Sequence, residues 1–157
     1  MTQSELQDFM RRHRWAVQTS VSGAGAPQAA LVGIAVTDDL EIVFDTLDIT
    51  RRVINLRSNP KIAFVVGDWH DGDERTAQYE GVADFPGGAE LRRLKGVYFG
   101  TFPEKRDRQS WPGLVYVRAR PTWIRYSNFN RTPPEIREFA FPERSGTNQQ
   151  NLVSRGD

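Results

Sequence analysis

The hydrophobic pattern changes period once within the first 46 residues. Leu6, Phe9 and Met10 fall on one helical face, and Ser4 followed by Gln7 has the form of a capping box. This predicts a short helix over residues 4–13, ending in the basic run Arg11 to Arg14. From Trp15 the period becomes two, with Trp15, Val17, Thr19 and Val21 on one side and Ala16, Gln18 and Ser20 on the other. After the break at Gly23–Pro27, residues 28–36 read as a second, small-residue strand, and Thr37-Asp38-Asp39 closes it with a turn. Residues 40–46 alternate again, as a third strand that delivers Thr46 into a loop.

The next stretch has the helical period. Ile49, Val53 and Leu56 recur at spacings of four and three until Asn59-Pro60 stops them, so residues 48–58 should be a helix. Residues 61–67 form an apolar strand and residues 76–84 an alternating one, in which Gly81 marks a bulge or a close backbone approach. Leu91, Leu94 and Tyr98 suit a helix over residues 89–99. Residues 100–113 read as a polar loop, and residues 114–120 and 123–126 as a strand interrupted at Pro121. Beyond Asn128 the chain turns increasingly polar, and the last dozen residues are expected to be mobile. Mostly consecutive, hairpin-like strands with two or three inserted helices favour a mainly β, antiparallel barrel or sandwich.

Composition narrows the chemistry. A length of 157 residues suits one core. With no cysteine there is no disulfide framework, thiolate nucleophile or Cys-ligated metal. No apolar run approaches the ~20 residues of a membrane span, and Met1-Thr-Gln-Ser-Glu5 lacks the regions of a signal peptide, so a cytoplasmic protein is expected. The net charge of +1 argues against nucleic acid as the main ligand. Within that balance, eighteen Arg stand against three Lys, and Arg forks suit phosphate and carboxylate groups.

One segment breaks a local electrostatic rule. In Thr46-Leu-Asp-Ile-Thr50-Arg51-Arg52 a strand runs into the first turn of a helix, where unpaired N–H groups and the positive dipole end favour an anion. Cations placed there are disfavoured by roughly 0.3–1 kcal/mol each. A phosphomonoester would resolve the conflict by accepting bonds from both Arg and from Thr46, Thr50 and the backbone. The competing reading is a solvated basic face paired with Asp45 and Asp48.

At this point the sequence resembles a known family. Phe44-Asp-Thr46, Thr50-Arg51-Arg52, Leu56 and Asn59-Pro60, followed by an apolar strand, match in spacing the core signature of the pyridoxamine 5'-phosphate oxidase-like flavin-binding split barrels. Glu74-Arg75-Thr76 and Gly81 resemble the next strand of that family. The resemblance implies a Greek-key split β-barrel over residues 1–128, followed by a polar, partly mobile tail over residues 129–157. It also implies FMN held at the interface of a homodimer, with Asp45, Thr46, Thr50, Arg51, Arg52 and Thr76 around it and Trp111 brought by the second subunit. Arg118 and Arg125 are further candidates for that second-subunit role. The implied activity is hydride exchange at flavin N5 with a small organic substrate. No catalytic side chain and no metal ligand is assigned.

Two departures argue against pyridoxine phosphate oxidation: residues 28–36 contain no Lys or Arg, and no His follows His70. The alternatives are the deazaflavin F420 on the same fold, or a non-catalytic flavin- or haem-binding protein. Residues 68–74 gather possible metal ligands but match no EF-hand order, and read as a solvated loop.

Overall fold

The computed structural model describes residues 1–67 and 70–143. Helix α1 (Gln3–Arg12) buries Leu6, Phe9 and Met10, as their spacing requires. Its cap lies two residues before the expected one. The Thr2 hydroxyl accepts the Glu5 N–H and the Glu5 carboxylate accepts the Thr2 N–H, which leaves Ser4 inside the first turn.

Strands β1 (Trp15–Val21) and β2 (Pro27–Gly33) form the expected hairpin. The run expected as one strand over residues 28–36 divides at Ile34, because β3 (Ala35–Val36) leaves β1 and pairs with β4 (Ile42–Leu47). That division carries the chain from one end of the sheet to the other. The strand order is β2-β1-β5-β6-β7-β4-β3, so its two ends are consecutive stretches of one chain.

Helix α2 (Arg51–Ser58) starts three residues later than its apolar period suggested, because residues 48–50 form the turn out of β4. β5 (Lys61–Gly67) and β6 (Arg75–Asp84) follow as an antiparallel pair. The register of β6 shifts between Glu80 and Gly81, opposite Pro121. A Cβ on Gly81 would collide with the Arg120 carbonyl, so the bulge requires glycine. Because the bulge accommodates Pro121, β7 runs unbroken from Leu114 to Asn128 instead of stopping there. Helix α3 (Gly88–Thr101) precedes it, and the expected polar loop contains a 3-10 helix, Pro103–Ser110.

β7 pairs with β4 through its first half and with β8 (Glu135–Ala140) through its second. β8 lies in the stretch that sequence left without an element. Its side chains are mostly exposed, so they carry no clear alternation, and Phe139 with the following Phe141 packs on the core. The sheet thus extends past residue 128; the expectation for the last dozen residues lies outside the described ones.

The main core fills the barrel around Phe44, Phe64, Tyr79 and Ile124. A second core lies outside it, where Tyr98, Phe99 and Phe102 cover Ala35, Val43 and Tyr116. β4 is therefore buried on both faces. The outer face of β2-β1-β5 stays open, with Leu31 59% and Trp15 48% exposed and Leu31, Val17 and Val65 paired in one row. No helix among the described residues is long and apolar enough to cross a membrane.

Candidate functional site

Strand alternation decides which residues of the signature meet. Phe44 and Thr46 point into the barrel side, and Asp45 points to the opposite face, toward the second core. There its Oδ2 lies 3.7 Å from Arg108 Nη1. The turn after β4 is fixed by Asp48 N–H donating to the Gly113 carbonyl (2.8 Å) and Thr50 N–H donating to the Leu47 carbonyl (3.0 Å).

Thr50 is the N-cap of α2, yet its side chain makes no capping bond. Its hydroxyl donates to the Leu47 carbonyl (2.8 Å) and lies 3.2 Å from Thr46 Oγ1. The first turn of α2 holds no acidic residue, only Arg51 and Arg52. Among the described residues neither Arg forms an ion pair, so the competing reading, with Asp45 and Asp48 neutralising them, finds no contact. Burial pushes the Arg52 pKa down, with no carboxylate to oppose it.

Arg51, Arg52 and Thr50 line a cavity of about 160 Å³ together with Gln18, Ser20 and Gln28. Gln18 is 1% exposed and its Nε2 has no hydrogen-bond partner. A buried amide donor without an acceptor is costly, by about 1–3 kcal/mol. Beneath it the Asn55 amide donates to Ser20 Oγ (3.1 Å) and Gln28 Oε1 (2.6 Å), tying α2 to β1 and β2. Two unpaired guanidiniums, a helix start without a side-chain cap and an orphaned buried amide form a donor set that fits a phosphomonoester.

Sequence reasoning missed Gln18, Ser20, Gln28 and Asn55. Their signal was present as polar residues at alternate positions of β1, on the side that proves to be buried, and as an Asn beside the apolar stripe of α2. Of the expected site residues, the cavity collects Thr50, Arg51 and Arg52, and Thr46 stands directly behind Thr50. Asp45 does not join them. Thr76 pairs with Gly67 and Ser127 at the start of β6, away from the cavity lining. Trp111, half-exposed, follows the 3-10 helix with the Arg108 guanidinium 5.0 Å from its ring centre. Arg118 is 4% exposed and fully engaged: it donates to both Asp84 oxygens (2.9 and 2.6 Å) and to Glu90 (2.9 Å). That binding to Asp84 raises its pKa, opposite to Arg52. Its donors are engaged within the chain, on a central strand.

Among the described residues no group of three or more His, Asp or Glu is placed to hold a metal. In the described part of the 68–74 loop, Asp73 is engaged by Arg75 and by the Asn130 amide.

The antiparallel sheet, with a cavity at the start of helix α2, defines a mainly β, split-barrel class of protein. The family model described as pyridoxamine 5'-phosphate oxidase matches residues 2–128, and the chain belongs to that family. No curated protein matches it in sequence. A haem-binding protein from Mycobacterium smegmatis is similar in structure (TM-score 0.75, 14% identity), covering 89% of this chain, which spans 58% of that protein. HutZ, a haem storage protein from Vibrio cholerae, aligns at TM-score 0.68 and 14% identity, over 88% of this chain and 93% of its own. A pyridoxamine 5'-phosphate oxidase-related, FMN-binding protein from Nostoc punctiforme aligns at TM-score 0.64 and 10% identity, over 89% and 96%. At these identities the likeness is one of fold.

Proposed function

We propose that the protein binds FMN and acts as a flavin-dependent oxidoreductase on a small organic substrate. The observation that carries this is the pair Arg51 and Arg52 at the start of α2, unpaired with any described carboxylate and lining one cavity with Gln18, whose buried amide nitrogen has no partner. Arg51 and Arg52 neutralise the phosphate, and the Gln18 amide donates to it. Thr46 braces Thr50, whose hydroxyl is already aligned by the Leu47 carbonyl. When bound, the flavin supplies hydride exchange at its N5. None of the cavity residues is a proton carrier near neutral pH, and hydride exchange asks for none there.

The protein is proposed to act in the cytoplasm as a homodimer. The exposed apolar row on the outer face of β2-β1-β5 supports a second copy, as does the fact that neither Trp111 nor Thr76 is among the described residues lining the cavity of its own protomer. A non-catalytic reading, cofactor storage or sensing, is favoured by the fold shared with haem-binding proteins.

Denaturing the purified protein and taking the spectrum and mass of the released small molecule tests the cofactor. FMN is expected. Haem or a deazaflavin in its place overturns the assignment, and FMN without reduction by a nicotinamide donor selects the non-catalytic reading.

A further inference from the structure

Asn55 follows Arg51 and Arg52 by one helical turn, so it shares their face of α2 and lies next to the cavity they line. It is 5% exposed, and one nitrogen makes both of its contacts with the strands: Nδ2 donates to Ser20 Oγ (3.1 Å) and to Gln28 Oε1 (2.6 Å). Ser20 and Gln28 are direct partners in the β1–β2 register, so the three side chains form one cluster. Ser20 and Gln28 line the cavity, and Asn55 stands behind them.

An amide nitrogen carries two protons and accepts none. Asn55 gives one proton to each strand, and this decides which end of Gln28 is free. Its Oε1 is taken by Asn55, while its Nε2 has no hydrogen-bond partner among the described residues and is left for the cavity. Turning the Gln28 amide over would set two nitrogens 2.6 Å apart with no acceptor between them. Within residues 28–36, Gln28 is also the one residue with a side-chain N–H or O–H donor. A phosphate dianion only accepts, so it calls for a donor from that strand.

We propose that Gln28 is a specificity-determining residue of the cavity, donating its amide N–H to the phosphate, and that Asn55 is the positioning residue that holds it in that sense without touching the ligand. The inference rests on the phosphate reading of the cavity and adds to it a neutral donor on the strand side.

Fluorescence titration of FMN and riboflavin into the unaltered chain, Gln28→Met, Asn55→Ala and the double replacement tests it. Riboflavin affinity reports an intact fold, and the ratio of FMN to riboflavin affinity reports the phosphate contacts. Gln28→Met keeps the length of the side chain and removes the amide, so it should lower the ratio about tenfold, the scale of one hydrogen bond to a charged group. Asn55→Ala leaves Gln28 free to turn and should lower the ratio about threefold to fivefold, less than the outright loss of that bond. In the double replacement the ratio should match that of Gln28→Met within about twofold, because Asn55 acts through Gln28 and the two effects do not add. An Asn55 that only ties α2 to the strands would weaken both ligands alike and leave the ratio unmoved, which overturns the inference. A ratio unchanged or raised by Gln28→Met, or an Asn55→Ala effect that adds in full to it, also overturns this inference alone. Equal affinity for FMN and riboflavin in the unaltered chain overturns the phosphate reading and this inference with it.

Discussion

Arg118 and the pair Arg51–Arg52 show two opposite ways of placing guanidinium groups in one small protein. Arg118 lies almost out of solvent, with carboxylates on three sides: Asp84 bidentately, Glu90, and Glu41, which Arg93 also holds at 3.0 Å. Arg51 and Arg52 meet no described carboxylate and sit where the helix dipole already repels them. Their pKa shifts point in opposite directions: Asp84 raises that of Arg118, and burial lowers that of Arg52. A charge satisfied within the chain is structural. A charge left unsatisfied, beside an equally unsatisfied amide, is where the proposed phosphate would bind.

The comparison is sharpened most by removing the unsatisfied pair. Arg51→Ala/Arg52→Ala should weaken FMN by about 3–6 kcal/mol, from two charge-assisted contacts of about 1.5–3 each, read by flavin fluorescence titration. The cofactor-free protein should keep or slightly gain stability, because two ill-placed cations leave the helix start. Arg118→Met should behave in reverse. Taking one partner from a buried ion network costs about 3 kcal/mol in urea unfolding, while FMN affinity of the folded protein stays the same. If both variants lost stability alike, the distinction between the two regions would fail.

Asn55→Ala tests the tie between α2 and the strands. Losing its bonds to Ser20 and Gln28 should cost about 1–2 kcal/mol of stability, with a smaller loss of FMN affinity than the arginine pair shows. The smallest effect lies at high pH. Tyr79 is buried in the barrel with the Leu40 and Ala119 carbonyls beside its hydroxyl, and burial raises its pKa well above the ordinary value. The folded state thus keeps a proton that the unfolded chain releases near pH 10. Stability should be constant below that pH and fall as it rises further, a slope that Tyr79→Phe lessens in thermal melts.

Much of this was legible in sequence because strand and helix periods are local. The cradle Thr46, Thr50, Arg51 and Arg52 announced itself as a strand running into a helix with cations at the wrong end. Asp45 was assigned to the cofactor by its place in the signature, yet alternation turns it to the other face, against Arg108. Its neighbour Thr46 faces the other way for the same reason and stands beside Thr50. β8 carried no clear alternation, because an edge strand with exposed faces imposes little pattern. The tie of Asn55 to Ser20 and Gln28 was invisible because it forms only when α2 packs on the β1–β2 hairpin. The engagement of Arg118 likewise depends on β6 and α3 converging on β7.

The central claim is that the start of α2 grips a phosphate, and the ratio of FMN to riboflavin affinity tests it most directly. The two ligands differ only in the phosphate. The expected result is FMN binding at least about a hundredfold tighter, with the ratio collapsing toward one in Arg51→Ala/Arg52→Ala. Equal affinity for both ligands in the unaltered protein would contradict the account.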